Sequence, residues 1–262
     1  MKFNKQKTAN QFKRNWHKNY TFNILKNPLD DVIQNVKELE RNNLFTNEMI
    51  IFFDNVTFAP LYVTKNIESI LGYSQKQFIA WGKDALVKIG AFDNLAFWKD
   101  FEAWQNKFME LTFHSQKPAT TFRFSCGGFC YRHIDGSRKK FLFQSEHPIG
   151  DNKEMPDQRL SRLHEIGHLL KEDSYWVYFE KFNEHTKVSK FYCPDLTNDC
   201  AISSREKEVL TLIAGGMDSK DVSEQLFISL DTVKTHRKNI IHRFKAKDTS
   251  SLIQILKLCR LI

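Results

Sequence analysis

The chain has 262 residues and a formal net charge of +8, from 39 Lys and Arg against 31 Asp and Glu. This length allows two domains with separate cores. The charge is uneven: residues 1–26 hold seven basic and no acidic side chains, residues 201–262 hold eleven and seven, and residues 27–200 hold the remaining 21 and 24. Basic ends around a slightly acidic middle favour contact with a polyanion at the ends and a sensing or coupling role for the middle.

The composition excludes two classes of protein. No window reaches the about 18 consecutive apolar residues of a membrane-spanning helix, and no apolar stretch follows the basic N-terminus as in a secretion signal, so we expect a cytoplasmic protein. The cysteines are odd in number and scattered, which fits neither a disulfide framework nor paired metal knuckles, so we expect reduced thiols. They are Cys126, Cys130, Cys193, Cys200 and Cys259. A redox or metal pair of Cys126 and Cys130 stays open as an alternative.

The first 46 residues are predicted to form a basic arm followed by one helix. The arm could touch DNA, but disorder is the default expectation for such a terminus. Pro28 then begins a stretch to Asn42 that suits a helix, because its apolar residues share one stripe. These residues are Leu29, Val32, Ile33, Val36 and Leu39.

Residues 47–193 favour an antiparallel sheet with flanking helices. Two strands, 49–53 and 56–63, are predicted around the turn residues Asp54 and Asn55. Two more flank Asp135 and Gly136, which supply the positive φ values of a tight hairpin turn; these strands are 120–131 and 139–148.

A further hairpin and a linker are predicted after these strands. Strands 175–182 and 188–193 form the hairpin, and the polar residues 194–200 form a short linker. An aromatic helix is also expected between the two earlier strand pairs. Its stripe is interpreted as core, not as a cofactor site, and consists of Phe97, Trp98, Phe101, Trp104 and Phe108.

Two stretches of this region resemble a PAS domain spanning roughly residues 47–170. They are VTKNIESILGYS, residues 63–74, and YRHIDGS, residues 131–137. The resemblance implies a five-stranded antiparallel sheet, cupped by helices, that senses a small ligand or dimerises. The flavin-adduct motif of some PAS domains is absent, so we expect no cofactor, and the ligand-binding residues stay unknown. A domain that only binds another protein is an open alternative.

A competing motif, His164-Glu165-Ile166-Gly167-His168, matches His-Glu-x-x-His. On a helix the two histidines could hold zinc with Glu165 as general base, which would make the chain a zinc-dependent hydrolase. Residues 159–170 suit either a helix or the last strand of a PAS sheet. On a strand Glu165 would point away from the histidines, and the metalloprotease arrangement would fail. We therefore predict no metal site and keep the hydrolase as an alternative.

The last 62 residues show three helix starts in short succession. Ser203 precedes Glu206 by three residues, a capping box, and Gly215 and Gly216 follow the apolar face of that helix. Asp218 caps a short second helix, and Ser229 caps a third. The third helix and its end carry six basic residues against one acid, Asp231; they are Lys234, Arg237, Lys238, Arg243, Lys245 and Lys247. Two short helices followed by a basic third are typical of a helix-turn-helix, and phosphates are the expected partner.

This segment resembles the LuxR-type (GerE-type) helix-turn-helix through ISSREKEVL at 202–210, TVKTH at 232–236 and Asn239-Ile240. The resemblance implies that the third helix enters the major groove, with Lys234, Thr235 and Lys238 facing base edges. Those implied to lie near the sugar-phosphate backbone are Thr232, Arg237 and Lys220. His236 falls on the buried stripe, so we interpret it as a core histidine.

A fourth helix is predicted from Thr249 to about Arg260. The resemblance implies that it pairs two domains on a twofold DNA site, through Leu252, Leu256 and Cys259; closing the domain core is the alternative, and both roles can hold.

The sequence thus predicts an α+β chain. Its parts are a basic arm and helix (1–46), a PAS-like antiparallel sheet domain with a C-terminal hairpin (47–193), a linker (194–200) and an all-α four-helix LuxR-type domain (201–262). We expect a sequence-specific transcription regulator, not an enzyme, that binds double-stranded DNA as a homodimer. Because the alternating βα pattern of a phosphate-accepting receiver is missing, control is expected from a small molecule or a partner protein, acting through residues 174–199.

Overall fold

The computed structural model describes most of the sheet and all but the first residue of the C-terminal domain. The described residues are 7, 9–11, 14, 21–23, 33, 34, 36–38, 40, 47–112, 120–149, 154–156, 158–171, 174–182, 187–194 and 202–262. The predicted linker at 194–200 lies outside them except for Pro194, as does Cys200.

Within the described ranges, nine strands form two sheets. In chain order the strands are β1 (Thr21–Asn23), β2 (Glu48–Asp54), β3 (Pro60–Val63), β4 (Thr120–Arg132), β5 (Arg138–Ile149), β6 (Glu154–Pro156), β7 (Gln158–Glu165), β8 (Trp176–Phe182) and β9 (Lys187–Tyr192). The main sheet is antiparallel throughout, in the order β3-β2-β7-β5-β4-β8-β9, and β1 pairs with β6 in parallel. The expected antiparallel sheet is confirmed. Residues 47–170 supply five of its strands, and the hairpin β8-β9 adds two more.

Eight helices are described at full length. They are α1 (Ile67–Leu71), α2 (Gln75–Ala80), α3 (Ala85–Lys88), α4 (Leu95–Thr112), α5 (Ser204–Ala214), α6 (Ser219–Gln225), α7 (Leu230–Phe244) and α8 (Thr249–Leu258). Residues 33, 34, 36–38 and 40 are also helical, in agreement with the helix predicted over 28–42. In the basic arm, residues 7, 9–11 and 14 are helical and Ala9 is fully buried in the main core, so these residues are not the disordered arm we expected.

The two faces of the main sheet bury different partners because side chains alternate along each strand. Its inner face packs on the α1–α4 layer, and the aromatic stripe of α4 lies in that core, as expected. Its outer face is divided. Ile50 and Phe52 of β2 pack against the helical residues Ile33 and Val36. Trp176 on β8 belongs to the part of the outer face that the C-terminal helices cover.

The first hairpin turn is longer than the two residues predicted. Asp54 accepts hydrogen bonds from the Val56 and Thr57 amides at 2.8 and 2.7 Å, and Phe58 adopts a left-handed conformation with φ 62°. The side-chain bonds of Asp54 compete with strand pairing. β3 therefore begins at Pro60, four residues later than the sequence predicted.

Candidate nucleic-acid interface

The first helix of the C-terminal domain begins at the predicted capping box. The Ser203 hydroxyl accepts from the Glu206 amide at 3.1 Å, and the Glu206 carboxylate accepts from the Ser203 amide at 2.9 Å. That carboxylate also accepts hydrogen bonds from both terminal nitrogens of Arg243 on α7, at 3.1 and 3.3 Å. Both side chains are almost fully buried. One residue thus starts α5 and fixes the position of α7 against it.

Side-chain caps also begin the next two helices. Asp218 accepts from the amides of Lys220 and Asp221, at 2.7 and 2.9 Å, and these bonds lower the pKa of its carboxyl. The Ser229 hydroxyl accepts from the Thr232 amide at 3.1 Å and starts α7. The predicted order of two short helices and a longer third is confirmed.

The turn between α6 and α7 contains a residue that sequence reasoning did not single out. Phe227 has a φ of 53° and is 94% exposed, beside the N-terminal end of α7. In a helix-turn-helix that end of the recognition helix meets the base edges. The available clue in the sequence was an aromatic residue in the predicted turn between two helices.

One face of α7 is buried and the opposite face is free. Val233, Ile240 and Phe244 are fully buried. The three residues expected to face base edges, Lys234, Thr235 and Lys238, are all exposed. The Asp231 carboxylate lies 3.8 Å from the Lys234 amine, but both are on the surface, so this contact leaves the lysine available.

The three residues expected near the sugar-phosphate backbone differ in their surroundings. Thr232 and Lys220 are exposed. Arg237 is half-buried, and its guanidinium donates to the hydroxyls of Ser219 on α6 and Thr249 on α8, the latter at 2.7 Å. Arg237 therefore braces three helices, which leaves less of its hydrogen-bonding capacity for a phosphate. His236, expected in the core, is only half-buried.

The residues assigned to pairing lie inside the chain. Leu252, Leu256 and Cys259 are at most 1% exposed and belong to one cluster with the outer face of the sheet. The Cys259 thiol shares a hydrogen bond with the Ser125 hydroxyl of β4, and burial raises the pKa of this thiol. In this arrangement the three residues take the alternative role that the sequence left open: they close a hydrophobic core, and that core includes residues of the sheet.

The C-terminal end of α7 is held by the sheet through one tryptophan. The Trp176 indole N–H donates to the Phe244 carbonyl at 3.1 Å, and both residues are fully buried. The Trp176 ring lies 4.8 Å from the Phe244 ring and 5.6 Å from the Phe191 ring of β9. Gly127 of β4 makes room for it, since a Cβ there would lie 2.1 Å from the indole. This is the region, residues 174–199, through which control was expected to act.

A short backbone bridge fixes the same end of α7. Leu170 and Ala246 pair antiparallel, with the Lys171 amide donating to the Lys245 carbonyl at 2.8 Å and the Lys247 amide donating to the Leu169 carbonyl at 2.9 Å. Nothing in the local sequence signals this pairing between residues 76 positions apart in the chain. The helix-turn-helix is thus docked on the sheet with the exposed face of α7 outward.

The sheet domain encloses a small aromatic cavity of about 30 Å³ between its inner face and α4. Arg159 lines it and is 7% exposed, with its guanidinium carbon 5.0 and 4.9 Å from the ring centroids of Phe53 and Phe58. Burial lowers the pKa of Arg159 to about 10. A charged side chain stacked on rings beside a cavity supplies both a polar anchor and apolar walls for a small ligand.

The His-Glu-x-x-His motif does not lie on an α-helix. His164 and Glu165 end β7, and His168 lies in the short 3-10 helix Gly167–Leu169. The Glu165 carboxylate pairs with the Lys139 amine at 3.3 Å. The zinc-hydrolase alternative loses the geometry on which it depends, and the part of the chain that the structure describes contains no cluster of three metal-ligating side chains.

Four cysteines are described, and each is a free thiol. Cys126 is buried in the inner core, whereas the Cys130 thiol, half-buried on the same strand, donates to the Gly128 carbonyl at 3.4 Å. No described helix is long and apolar enough to span a membrane.

Comparison with known proteins gives a match over the C-terminal domain. Residues 201–256 match the family described as "Bacterial regulatory proteins, luxR family". Over 53 residues the chain is 40% identical to oxygen regulatory protein NreC of Staphylococcus epidermidis, and over 48 residues it is 44% identical to transcriptional regulatory protein LiaR of Bacillus subtilis. These matches cover 20% and 18% of this chain and 24% and 23% of the relatives, so the chain spans about a quarter of the length of the curated relatives it matches.

A likeness over more of the chain is weaker. A solved structure of the Vibrio cholerae VqmA dimer, described among LuxR-type receptors, covers 84% of this chain and 86% of its own, at 16% identity and a TM-score of 0.26. This score is too low to support an argument about the rest of the chain. The family match, the caps and the helix order all concern the same segment. Residues 201–256 form a LuxR-type helix-turn-helix domain.

Proposed function

We propose that this protein is a sequence-specific DNA-binding transcription regulator whose α7 enters the major groove. The observation that carries the proposal is the solvent-exposed face of α7, with Lys234, Thr235 and Lys238 on it, in a helix-turn-helix of LuxR type. Lys can donate to guanine O6 and N7, and a Thr methyl can contact a thymine methyl. Lys220 and Thr232 lie exposed at the starts of α6 and α7 and are proposed to contact the sugar-phosphate backbone of the DNA. Arg237 is proposed mainly to brace the three helices and only secondarily to contact a phosphate. Such a protein works where the DNA is, in the cytoplasm, and needs no catalytic centre.

The test uses a duplex enriched from a random library by the wild-type chain. Replacing Lys234 or Lys238 with Ala should weaken binding to it by about 1–3 kcal/mol, or roughly 5- to 150-fold. Lys76, exposed on α2 of the sheet domain, is the matched control, and K76A should bind as the wild type does. Unchanged affinity in both α7 variants would remove the assignment of that helix.

We further propose that the chain reads a twofold site as a homodimer, and that docking on the sheet controls pairing. Leu252, Leu256 and Cys259 form the covered side of α8, so they can pair two domains only after α8 leaves the sheet. Sedimentation should find two chains per duplex on a palindromic site. One chain on an asymmetric site would contradict the dimer.

The control signal is proposed to be a small molecule in the Arg159 cavity. In the described arrangement the cavity has room for about one or two water molecules, so a larger ligand has to displace aromatic rings. Such movement can reach the outer face because Phe129, which lines the cavity, and Gly127, which contacts Trp176, flank the same bulge of β4. Native mass spectrometry of the purified chain should show a bound small molecule that R159M loses. If the purified chain retains no compound, and no added compound changes its DNA binding, the small-molecule proposal is wrong. The alternative is then a domain that binds only a partner protein.

A further inference from the structure

A second cleft lies on the opposite side of the sheet from the aromatic cavity. It separates the outer face of β2, β4, β5 and β7 from the C-terminal end of α8 and has a volume of about 520 Å³, within the range of small-ligand sites. Seven of the side chains that line it are ionisable: Glu48, Arg123, Glu146, Arg162, His164, Lys257 and Arg260.

The positive charge of the cleft is concentrated on the α8 side. On the sheet side, Arg123 pairs with Glu146 at 2.7 Å, and the Arg162 guanidinium lies 3.6 Å from the Glu48 carboxylate. Lys257 and Arg260 are exposed, and no ion pair among the described residues involves either of them. Four cations against two carboxylates make the cleft +2, and the two cations of the α8 end supply the excess.

The sheet side offers polar atoms that have no hydrogen-bond partner among the described residues. These are His164 Nδ1 and Glu48 Oε1, both buried. Burial lowers the pKa of His164, so its ring is neutral at pH 7. A buried polar atom without a hydrogen bond is unfavourable, and a ligand hydroxyl could supply that bond once the side chain turns towards the cleft. The cleft therefore presents cations at one wall and, at the other, polar atoms that make no hydrogen bond with the described residues, although the Glu48 carboxylate lies near the Arg162 guanidinium.

We propose that this cleft binds a small hydroxylated anion, a phosphate ester or carboxylate, whose charge lies between Lys257 and Arg260 and whose hydroxyl groups reach Glu48 and His164. The ligand would touch both the sheet and α8. If the proposed docking control is right, it would hold α8 on the sheet and oppose pairing. The site itself stands on the cleft and its charges, so its test does not depend on DNA.

The experiment is calorimetric titration of the full chain at fixed ionic strength with glycerol 3-phosphate and with glycerate, which distinguish phosphate from carboxylate. We expect the wild type to bind at least one with a millimolar or tighter dissociation constant. The double variant K257A/R260A should weaken this at least tenfold, and K76A should not change it. No heat from either compound at 10 mM, or equal binding by the double variant, would overturn the proposal.

Propyl phosphate, similar in size to glycerol 3-phosphate but without hydroxyl groups, tests the sheet side of the cleft. The wild type should prefer the hydroxylated compound at least fivefold. E48Q and H164F should reduce that preference to twofold or less while they keep the phosphate affinity, so that a folding defect is distinguished from a lost contact. A preference that survives in both variants would remove Glu48 and His164 from the site.

Discussion

Replacing Trp176 with Phe should release the helix-turn-helix from the sheet. The substitution removes the indole N–H that donates to the Phe244 carbonyl. This hydrogen bond is buried and 3.1 Å long. Leaving that carbonyl without its bond costs about 1–3 kcal/mol, and the smaller ring adds a gap between Phe191 and Phe244. A cost of about 2 kcal/mol shifts the docking equilibrium roughly 30-fold towards the released form.

Amide hydrogen exchange measures this release directly. The Lys171 and Lys247 amides are protected only by the backbone bridge between the sheet domain and the end of α7. Their exchange should accelerate by about the same 30-fold factor in W176F, because opening of the bridge then requires less free energy. The proposed function adds that W176F should form dimers, and bind a twofold DNA site, more readily than the wild type.

A second tryptophan provides the matched control. The Trp98 indole donates to the Ala91 carbonyl at 2.7 Å inside the sheet domain, away from the C-terminal helices. W98F should lower the melting temperature without changing exchange at Lys171 and Lys247. Equal exchange at these two amides in the wild type, W98F and W176F would refute the view that Trp176 holds the domains together.

Three further outcomes concern stability. The pKa of the buried His147 is lowered to about 3 because burial disfavours its charged form, and the nearby Arg159 cation adds to this. Below about pH 6.5 the unfolded chain therefore binds a proton at this residue that the folded chain does not bind, so stability falls as the pH falls from about 6.5 towards 3. Because of this residue, the free energy of unfolding in urea should be about 2 kcal/mol lower at pH 5.0 than at pH 7.5. H147F should lose that difference. E206A should cost about 3–5 kcal/mol in urea unfolding, since it leaves the buried Arg243 without its carboxylate, and a cost below 1 kcal/mol would contradict a buried ion pair. G127A should lower the melting temperature and increase Lys247 exchange, because its Cβ would overlap the Trp176 ring, whereas an unchanged protein would show that β4 and the indole are less closely packed than described.

Features that depend on a few neighbouring residues were predictable from the sequence. The caps at Ser203, Asp218 and Ser229 satisfy amides within three residues of themselves, so composition and spacing alone mark them. The hairpin turn at Asp135 and Gly136 is local in the same sense. Gly136 has the predicted positive φ, at 90°, whereas Asp135 does not. The exposed face of α7 follows from helical periodicity once its buried stripe is known.

The secondary structure of the segment from Gln158 to Glu165 could not be predicted from local signals alone. Its apolar residues suit helical spacing, yet it is a strand between β2 and β5. Hydrogen bonds to two neighbouring strands, from residues far away in the chain, outweigh the local preference. The turn after Asp54 is a smaller case, because the side-chain bonds of that residue delay β3.

The sequence by itself predicted the exposed basic face of α7 and a sheet domain before it, because both depend on periodicity and caps that act within one element. Only the tertiary structure decided what covers α8. Leu252, Leu256 and Cys259 form an apolar stripe that would suit a second copy of the domain or any other apolar surface equally well. The outer face of the sheet takes that place, since Trp176 and the bridge from Leu170 to Ala246 add directional hydrogen bonds to a burial that is otherwise non-specific.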